Sequence, residues 1–445
     1  MKGSHHVHFD LIIRHGTCML PWGATETDLG VKDGRIASLR AAITDTADRE
    51  IDARHLHVLP GMIDSHVHFR DPGDPSIESI ATGSRGAALG GITTVFDMPN
   101  TTPSTTSAAA IRDKSAHAET TSLVDIALYV GATRANTPEL ATLERLPGIC
   151  GIKLFAGSST GDLMIEDDAG IEAVMRSGHR RIAFHSEDEY RLQARRALFE
   201  IGQAHEKHME WRDVECAFLG TRRIVDLAHR TNRPAHILHV STAEELDYLA
   251  NHRDIASVEV LVNHLSQVAP ECYEKLGALA VMNPPLRDRR HYEASWQAVR
   301  DGRVDVVSSD HAPHALAAKA KPWPTCPAGL TGVQTILPIM LDHVTQGRLS
   351  LSRLVDLMAA GPARIYGLMS KGRLAVGFDA DFTIVDMQAR REIRNEWIAS
   401  PVGWTPFDGQ TVTGWPMATV VRGHVVMRDD EIISHPVGRL ARFAP

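Results

Sequence analysis

The sequence predicts an α/β protein built on a (β/α)8 TIM barrel, with a small β-sandwich added by the two ends of the chain. Three observations lead to this prediction. Eight apolar, strand-like runs follow one another between residues 58 and 314, helical stretches separate them, and both ends of the chain show a different pattern of short strands and turns. With 445 residues, 43% of them apolar, the chain is long enough for a barrel and an appended module.

The N-terminal part of the sandwich is the first predicted element. Residues 9 to 58 contain short alternating runs such as FDLIIRHG and GVKDGRIASL, separated by turn residues, as is typical of antiparallel strands. The same pattern returns after about residue 370, in GRLAVGFDADFTIVDM and ATVVRGHVVMRDDEII. We therefore predict that residues 1–58 and 370–445 pair into one β-sandwich, and that residues 59–369 form the barrel.

The barrel strands come next, each one followed by polar residues. The eight runs are VLPGMIDSHVHF, ITTVFDMPN, LVDIALYVG, GICGIKLFAG, RIAFHSED, AHILHVST, SVEVLVNH and VDVVSSDHAPH. The clearest helical stretches between them are IESIATGSRGAALGG and VECAFLGTRRIVDLAHRTN. Because a barrel carries its functional groups at the C-terminal ends of its strands, the polar residues there are the candidates for a site.

Metal-binding residue types cluster at these strand ends. His66 and His68 lie two residues apart on the first barrel strand, so their side chains point the same way and can converge on one ion. Later strands end in Lys153, His185, His239 and Asp310. Imidazoles and a carboxylate suit zinc. A lysine fits such a ring only if CO2 has converted it to a carbamate, an anionic group able to bridge two cations.

Composition excludes several classes of protein. The net charge of -8, the pI near 6.3 and the lack of a Lys/Arg block argue against a nucleic-acid partner. The five cysteines form no C-x-x-C pair, which is typical of reduced thiols in a cytosolic protein. There is no apolar run of about 18 residues and no signal-peptide pattern, so we expect a cytoplasmic protein without a membrane partner.

The motifs GMIDSHVHFRDPG, VFDMPNTTP, KLFAGSSTG, HSED, LHVST, MNPPLR and SSDHAPH together resemble the amidohydrolase superfamily. Within it they are similar to the cyclic amidohydrolases (dihydroorotases, hydantoinases and allantoinases), and most of all to the dihydroorotases. The resemblance spans residues 61–314 and continues through GPARIYGL and GRLAVGFDADFTIVD, so it covers nearly the whole chain.

The resemblance implies a centre of two zinc ions. It places His66, His68 and Asp310 on one ion and His185 and His239 on the other, with carboxylated Lys153 as the bridge. It also implies that a bridging hydroxide attacks the ring amide, and that Asp310 accepts the hydroxide's proton and returns it to the leaving ring nitrogen. The IKLF strand is closer to the hydantoinase form, which leaves the number of ions and the lysine modification open.

The resemblance also implies how a substrate is held. Dihydroorotate carries a ring carboxylate that hydantoin and allantoin lack, and Arg70 and Asn100 occupy the family's carboxylate-binding positions. A guanidinium can grip a carboxylate through two parallel hydrogen bonds. His314 is expected to add a third contact, and Asn283 to face the polar edge of the ring. The ordinary alternative is that Arg70 is solvated or paired with Asp71.

Three functions stay open on the sequence. The first is a dihydroorotase of pyrimidine biosynthesis, which interconverts dihydroorotate and N-carbamoyl-aspartate. The second is a hydantoinase, dihydropyrimidinase or allantoinase, and the third is a non-catalytic dihydroorotase-like subunit. The resemblance implies a small-molecule substrate, a homo-oligomer and an association with aspartate transcarbamoylase.

Two further predictions concern the surroundings of the site. Residues 315–332 contain three prolines and little periodicity, which favours an active-site loop that closes over substrate rather than a core element. The ordinary alternative is a static connection before a helix that begins near Gly332. Five further histidines are expected to be helix-face or loop residues; they are His205, His208, His229, His252 and His291.

Overall fold

A computed structural model describes residues 7–158 and 161–445 of the chain. Residues 1–6 of the predicted sandwich segment, and residues 159 and 160 of the KLFAGSSTG motif, lie outside the described residues.

In the described part of the chain, five strands precede the barrel. They are β1 (Phe9–Leu20), β2 (Gly23–Lys32), β3 (Arg35–Arg40), β4 (Ala47–Asp52) and β5 (His57–Pro60). β1, β2 and β3 pair antiparallel as predicted, but β4 and β5 run parallel to β1. The prediction of antiparallel strands alone is therefore wrong here. The connection between β3 and β4 carries the chain back to the free edge of β1, so the next strands enter in the same direction as β1.

Eight parallel strands then form a nearly closed barrel. They are β6 (Met62–Val67), β7 (Ile92–Asp97), β8 (Asp125–Gly131), β9 (Ile149–Phe155), β10 (Ile182–His185), β11 (Ala235–Ile237), β12 (Ala256–Leu261) and β13 (Val306–Ser308). They neighbour one another in chain order, and every residue in them is buried. A parallel bridge between Val67 and His311 joins the first and last strand ends, where His68 N donates to His311 O at 2.7 Å. The predicted barrel is confirmed.

Helices cover the outside of the barrel. They are α1 (Ile80–Leu89), α2 (Ala108–Thr121), α3 (Leu140–Leu143), α4 (Asp168–Met175), α5 (Glu189–Arg196), α6 (Lys207–Trp211), α7 (Val214–Thr231), α8 (Ala243–Leu249), α9 (Val262–Ser266), α10 (Glu271–Leu276), α11 (Arg289–Arg300), α12 (Leu316–Lys319), α13 (Ile336–Thr345), α14 (Leu351–Val355) and α15 (Gly361–Tyr366). Ser79 and Asp213 cap the N-termini of α1 and α7 with their side chains, so the two clearest predicted helices begin where a capping residue allows. Among the described helices, none combines the length and apolar character needed to cross a bilayer.

The C-terminal strands return to the N-terminal ones. They are β14 (Phe382–Glu392), β15 (Thr411–Val421), β16 (His424–Arg428) and β17 (Glu431–Ile432). β14 pairs antiparallel with β5, so both ends of the chain form one mixed sheet of nine strands around a shared apolar core that includes Leu11, Phe382 and Val420. The predicted module of N- and C-terminal strands is confirmed, while its boundaries at residues 58/59 and 369/370 stay predictions.

The sheet and the barrel meet at Gly61. The run VLPGMIDSHVHF, expected to be one strand, is two strands in two different sheets, β5 and β6, with Gly61 between them. A Cβ atom at Gly61 would lie 2.3 Å from Thr93 Oγ1 and 2.6 Å from Asp381 Cβ, so no side chain fits at this junction. The two sheets therefore abut without a linker.

A buried ionic cluster lies at the opposite end of the barrel from the strand C-termini. Lys371 Nζ donates to Asp125 Oδ2 at 2.7 Å and to Asp381 Oδ2 at 2.5 Å, and it lies 3.3 Å from Asp379 Oδ2. Arg422 is also paired with Asp125, the first residue of β8. The cluster joins the start of barrel strand β8 to the segment before β14 and to the residue after β15.

Candidate metal centre at the barrel mouth

Three of the predicted ligands converge at the first and last strand ends. His66 lies in β6, His68 just after it, and Asp310 two residues after β13. The Nε2 atoms of His66 and His68 each lie 3.1 Å from Asp310 Oδ1. The three ligand atoms lie within 4.8 Å of one another, a spacing at which one metal ion could contact all three.

The other three predicted ligands lie beside this group. The rings of His185, at the end of β10, and His239, just after β11, are 4.5 Å apart between centroids. The rings of His239 and His66 are 5.6 Å apart, which links the two groups. Lys153 projects from β9 with its Nζ 4.5 Å from the centre of the Phe155 ring. The structure therefore brings all six predicted residues to one mouth.

Three residues at this mouth adopt a left-handed backbone conformation that side chains other than glycine rarely take. The φ angles are +53° for Arg70, +39° for His239 and +48° for Asp310. Each residue lies two or three residues after a barrel strand, so the turn of the backbone redirects its side chain near the strand end. Such conformations persist where the surrounding structure imposes them, and they cluster at functional sites.

Glu259, in the middle of β12, fixes the orientation of His66. Its Oε1 lies 2.8 Å from His66 Nδ1 and accepts the backbone N–H of His239 at 3.1 Å. Although burial opposes it, the neighbouring His66 and His236 lower the pKa of Glu259, so the carboxylate stays ionised and can only accept. His66 Nδ1 therefore carries a hydrogen, and in the neutral form of the ring Nε2 presents a lone pair to Asp310.

Glu187 has the same role behind His185. Its Oε2 lies 2.7 Å from His185 Nε2, and Arg212 donates to both of its carboxylate oxygens at 3.0 and 2.5 Å. Burial opposes the charge, but Arg212 and His185 lower the pKa of Glu187 well below its ordinary value. His185 Nε2 is therefore the hydrogen-bond donor, which leaves Nδ1 unprotonated. Carboxylates that orient histidine ligands in this way are a common feature of metal centres.

These contacts fit a metal ion. In the neutral forms of His66 and His68, two imidazole lone pairs face a carboxylate oxygen at 3.1 Å with no hydrogen between them, an arrangement that only a proton or a cation satisfies. Burial opposes the charged form of His66, yet Asp310 and Glu259 raise its pKa, so the position between these groups favours a positive charge. His239 Nδ1 is buried and has no hydrogen-bond partner among the described residues. Neutral imidazoles and a carboxylate are the ligands that zinc prefers.

Lys153 differs from an ordinary strand lysine. Its side chain is 1% exposed, and no carboxylate lies within ion-pair distance of its Nζ in the described structure. Desolvation lowers the pKa of Lys153 to about 7. A buried lysine is seldom left without a partner, and an amine that is neutral near pH 7 is the form that reacts with CO2. These observations argue against a purely structural role for Lys153.

Arg70 reaches across the mouth to the segment after β13. Its Nε donates to Pro313 O at 2.9 Å, and its Nη2 lies 3.2 Å from His314 Nε2. No carboxylate lies within ion-pair distance of this guanidinium in the described part of the chain, and Asp71 instead accepts from Ile80 N and pairs with His117. Neither alternative for Arg70, a solvated arginine or a pair with Asp71, fits these contacts.

His314 has two contacts that compete for one nitrogen. Its Nε2 lies 3.0 Å from Ala328 O, which only accepts, and 3.2 Å from Arg70 Nη2, which only donates. Burial and Arg70 lower the pKa of His314 to about 3, so the ring is neutral and Nε2 satisfies one of these contacts at a time. The predicted third contact to a carboxylate thus requires the tautomer that donates from Nε2.

The two predicted asparagines use their amide oxygens on neighbouring histidines. Asn100 Oδ1 lies 2.7 Å from His68 Nδ1, and Asn283 Oδ1 lies 2.8 Å from His208 Nε2. Each arrangement leaves the amide nitrogen without an acceptor among the described residues. Asn100 therefore orients a metal-ligand candidate, and only its Nδ2 is available for the carboxylate contact that the sequence predicts.

Several residues around the site were not found from the sequence. Glu259 could have been suspected, because a glutamate inside an apolar barrel strand needs a buried partner, and Glu187 lies within the HSED motif. His208 lies on a helix, α6, as expected, and is buried there. Residues 315–332 form a loop with one short helix, α12, as predicted, but Trp323 is 1% exposed within a buried cluster, so part of this loop is anchored in a core. Its closure over substrate stays a prediction. The aromatic residue anchors a segment that is otherwise rich in proline.

Comparison with known proteins agrees with this geometry. The model of the amidohydrolase family matches residues 57–426. The chain belongs to the amidohydrolase family. A dihydroorotase from Halobacterium salinarum is 37% identical to this amidohydrolase over 91% of the chain and 96% of the relative, and an allantoinase from Solibacter usitatus is 35% identical over 97% of each.

Among solved structures, this amidohydrolase resembles a hydantoinase. The L-hydantoinase (dihydropyrimidinase) from Arthrobacter aurescens superposes with a TM-score of 0.92 at 30% identity, and the match covers 97% of the chain and 99% of the hydantoinase. With a matching family model and dihydroorotase and allantoinase relatives over nearly its whole length, the chain is a cyclic amidohydrolase enzyme. The imidazole and carboxylate groups of this amidohydrolase provide a place for a metal.

Proposed function

We propose that the protein is a zinc-dependent dihydroorotase, which reversibly hydrolyses the ring amide of dihydroorotate to N-carbamoyl-L-aspartate in pyrimidine biosynthesis. The observation that carries the proposal is Arg70, a partly buried guanidinium beside the metal-ligand candidates that has no carboxylate to pair with among the described residues. A substrate carboxylate would supply the missing partner. Hydantoin and allantoin rings have none to offer.

Three side chains would hold that carboxylate. Arg70 has Nη atoms left over after its Nε has bonded to Pro313 O, and these can donate in parallel. Asn100 Nδ2 and His314 Nε2 are further donors on either side. With this carboxylate fixed, the scissile amide of the ring would lie toward His66, His68 and Asp310.

The metal ions would be held by the six predicted ligands. His66, His68 and Asp310 would hold one zinc and His185 and His239 the other, with carboxylated Lys153 between them. When bound, the zinc ions lower the pKa of a water molecule and polarise the amide carbonyl. Glu259 and Glu187 keep the imidazoles in the tautomers that bind metal.

Asp310 is the group that would move the proton. Its Oδ1 faces the two histidines, and its Oδ2 has no hydrogen-bond donor among the described residues. Oδ2 would accept a proton from the attacking water and then donate it to the leaving ring nitrogen, so one carboxylate serves as base and then as acid. In the reverse direction the same oxygen removes the proton from the attacking nitrogen.

The second candidate function is that of an allantoinase or hydantoinase. It is favoured by the allantoinase relative at 35% identity and by the close superposition on the L-hydantoinase. The retention of all six ligand positions argues against a non-catalytic subunit. A homo-oligomer and an association with aspartate transcarbamoylase stay predictions.

A substrate panel on the zinc-loaded enzyme tests the proposal. Initial rates are compared for dihydroorotate, dihydrouracil, hydantoin and allantoin, together with the reverse reaction from N-carbamoyl-aspartate. We expect dihydroorotate to have the highest kcat/KM. A higher kcat/KM for any ring without a carboxylate would replace dihydroorotase by the second candidate.

A further inference from the structure

His208 is a buried joint between three segments that line the barrel mouth. It lies in α6, its Nδ1 is 3.1 Å from Trp323 Nε1, and its Nε2 is 2.8 Å from Asn283 Oδ1 and 3.0 Å from Met282 O. Trp323 belongs to the segment after β13, and Asn283 to the segment before α11. The imidazole ring of His208 therefore connects all three segments by hydrogen bonds.

The tautomer of His208 follows from its partners. An indole N–H only donates, so Nδ1 must be the nitrogen that accepts. Burial and the neighbouring Arg212 lower the pKa of His208 to about 3, so the ring is neutral and carries one hydrogen. That hydrogen is on Nε2.

The tautomer in turn fixes the side-chain amide of Asn283. The Nε2–H of His208 faces the amide oxygen, and a flipped amide would set one N–H against another. Nδ2 of Asn283 is consequently turned away from His208. Asn283 is only partly buried, between buried Met282 and Pro284, and in the described structure its Nδ2 has no acceptor.

The surroundings prevent His208 from changing tautomer easily. Trp323 is held by edge contacts with the rings of Phe199 and Trp211, at 5.7 and 6.3 Å between centroids. Lys319 Nζ donates to Val281 O at 3.0 Å and to Gly329 O at 3.1 Å, which ties the same two segments a second time. The indole N–H therefore stays aimed at His208.

We propose that His208 is a positioning residue that makes Asn283 present an N–H donor, not a carbonyl, to the bound substrate. The site would then select cyclic amides whose ring carbonyl can accept a hydrogen bond at this place, such as cyclic ureides. The proposal deepens the proposed function and rests on it, because it takes Nδ2 of Asn283 to be the atom that contacts the substrate ring.

A double-mutant cycle tests whether His208 acts through Asn283. The variants are His208→Phe, which keeps an aromatic ring but removes both hydrogen bonds, Asn283→Ala, and the two combined. We expect each single change to raise KM about tenfold, the change that corresponds to one lost neutral hydrogen bond, with kcat and metal content close to wild type. In the Asn283→Ala background, His208→Phe should raise KM no further. Independent, additive effects would overturn the proposal.

Two variants separate positioning from simple structural support. His208→Gln can accept from Trp323 and donate to Asn283 in the same sense, so it should keep KM within about threefold of wild type, less than the loss of one hydrogen bond. His343→Phe removes another buried histidine, which is bonded to Ser266 Oγ at 2.9 Å, and should leave KM unchanged. Equal KM values for His208→Gln and His208→Phe would overturn the proposal.

A measurement without turnover separates this proposal from the choice of substrate. ¹⁵N NMR of histidine-labelled protein should show His208 protonated at Nε2 and unprotonated at Nδ1, and a proton on Nδ1 would overturn the assignment. If the wild-type enzyme prefers hydantoin or dihydrouracil, dihydroorotase fails as the function. The cycle is then run on the preferred ring, where the same outcomes decide the role of His208.

Discussion

Two buried lysines at opposite ends of the barrel have opposite surroundings. Lys371, at the end where the strands begin, contacts three carboxylates, those of Asp125, Asp379 and Asp381. Lys153, at the end where the strands finish, is equally buried but has no carboxylate within ion-pair distance among the described residues. Burial acts against the charge in both, yet the carboxylates raise the pKa of Lys371 whereas desolvation lowers the pKa of Lys153 to about 7.

The difference distinguishes a charged group that stabilises the fold from a group that takes part in the reaction. A buried ammonium that is paired and hydrogen-bonded stays charged and joins the elements that supply its partners. A buried lysine without such partners is destabilising as a cation, and it persists where its neutral or modified form is used. By this criterion Lys371 supports the contact between sheet and barrel, and Lys153 belongs to the chemistry of the site.

The strongest test of this comparison is Lys153→Ala. We expect turnover of every substrate to fall about a thousandfold or more, because metal assistance contributes several kcal/mol to such reactions. Short carboxylic acids should restore part of the rate if they replace a carbamate. Metal per chain, measured by elemental analysis, should fall below the two ions expected for wild type. A variant with wild-type turnover would contradict the assignment.

The metal count needs a control, since a second group of possible ligands is exposed elsewhere. His229, His252 and Asp254 offer ligand atoms within 4.8 Å of one another, away from the barrel mouth. His229→Ala should leave both turnover and the tightly bound metal unchanged.

The counterpart is Lys371→Met, which should affect stability and not chemistry. Removing one partner from a buried ionic cluster leaves uncompensated charge, and we expect the free energy of unfolding to fall by about 3–5 kcal/mol. A lower urea midpoint with unchanged kcat in the folded protein is the expected result. Because the pKa of Lys371 is raised above 10.5, its stabilisation is present at neutral pH and is lost only as the pH rises beyond that value. Loss of kcat without loss of stability would reverse the comparison.

Arg70→Met extends the comparison to an unpaired guanidinium. A charge-assisted hydrogen bond contributes roughly 1.5–3 kcal/mol, so kcat/KM for dihydroorotate should fall about 10- to 150-fold. A ring without a carboxylate should be affected much less, because the substitution removes nothing that such a substrate uses. Equal losses on charged and uncharged rings would show that Arg70 has a structural role.

Glu187→Gln tests a buried carboxylate that is paired, like Lys371, but lies at the barrel mouth. Glu187 is held by Arg212, as Lys371 is held by its carboxylates, but it also orients His185. We expect metal affinity to fall about 10- to 100-fold, as is typical for groups that orient metal ligands. Competition with a chelator measures the change, and Glu210→Gln, at an exposed pair with Lys207, is the matched control. An unchanged metal affinity would show that Glu187 only stabilises the fold.

The sequence predicted the barrel and the gathering of its six polar strand ends for one physical reason. The C-terminal ends of parallel barrel strands meet at one mouth, so residues far apart in the chain become neighbours once the strands are identified. It did not predict which groups orient them. Glu259 contacts His66 across 193 residues, and His208 contacts Asn283 across 75, through side chains whose facing directions depend on packing between strands and loops.

The division of one predicted strand into β5 and β6 could not be anticipated for a related reason. Both strands are apolar, and only their partners distinguish them: β14 for β5 and β7 for β6. The same limit applies to residues 315–332, where Trp323 finds a buried cluster that local composition does not reveal.

The pairing of β5 with β14 has a consequence for synthesis on the ribosome. His57–Pro60 leaves the ribosome before its partner residues, Phe382 to Val385, which are made more than 320 residues later. At about 5–20 residues per second, the edge of β5 waits roughly 15 to 65 s for that strand. Until then β5 lacks its partner β14, and an unpaired strand edge is prone to pair with other chains. Recovery of folded enzyme should therefore depend on chaperones more than that of a barrel whose ends fold separately.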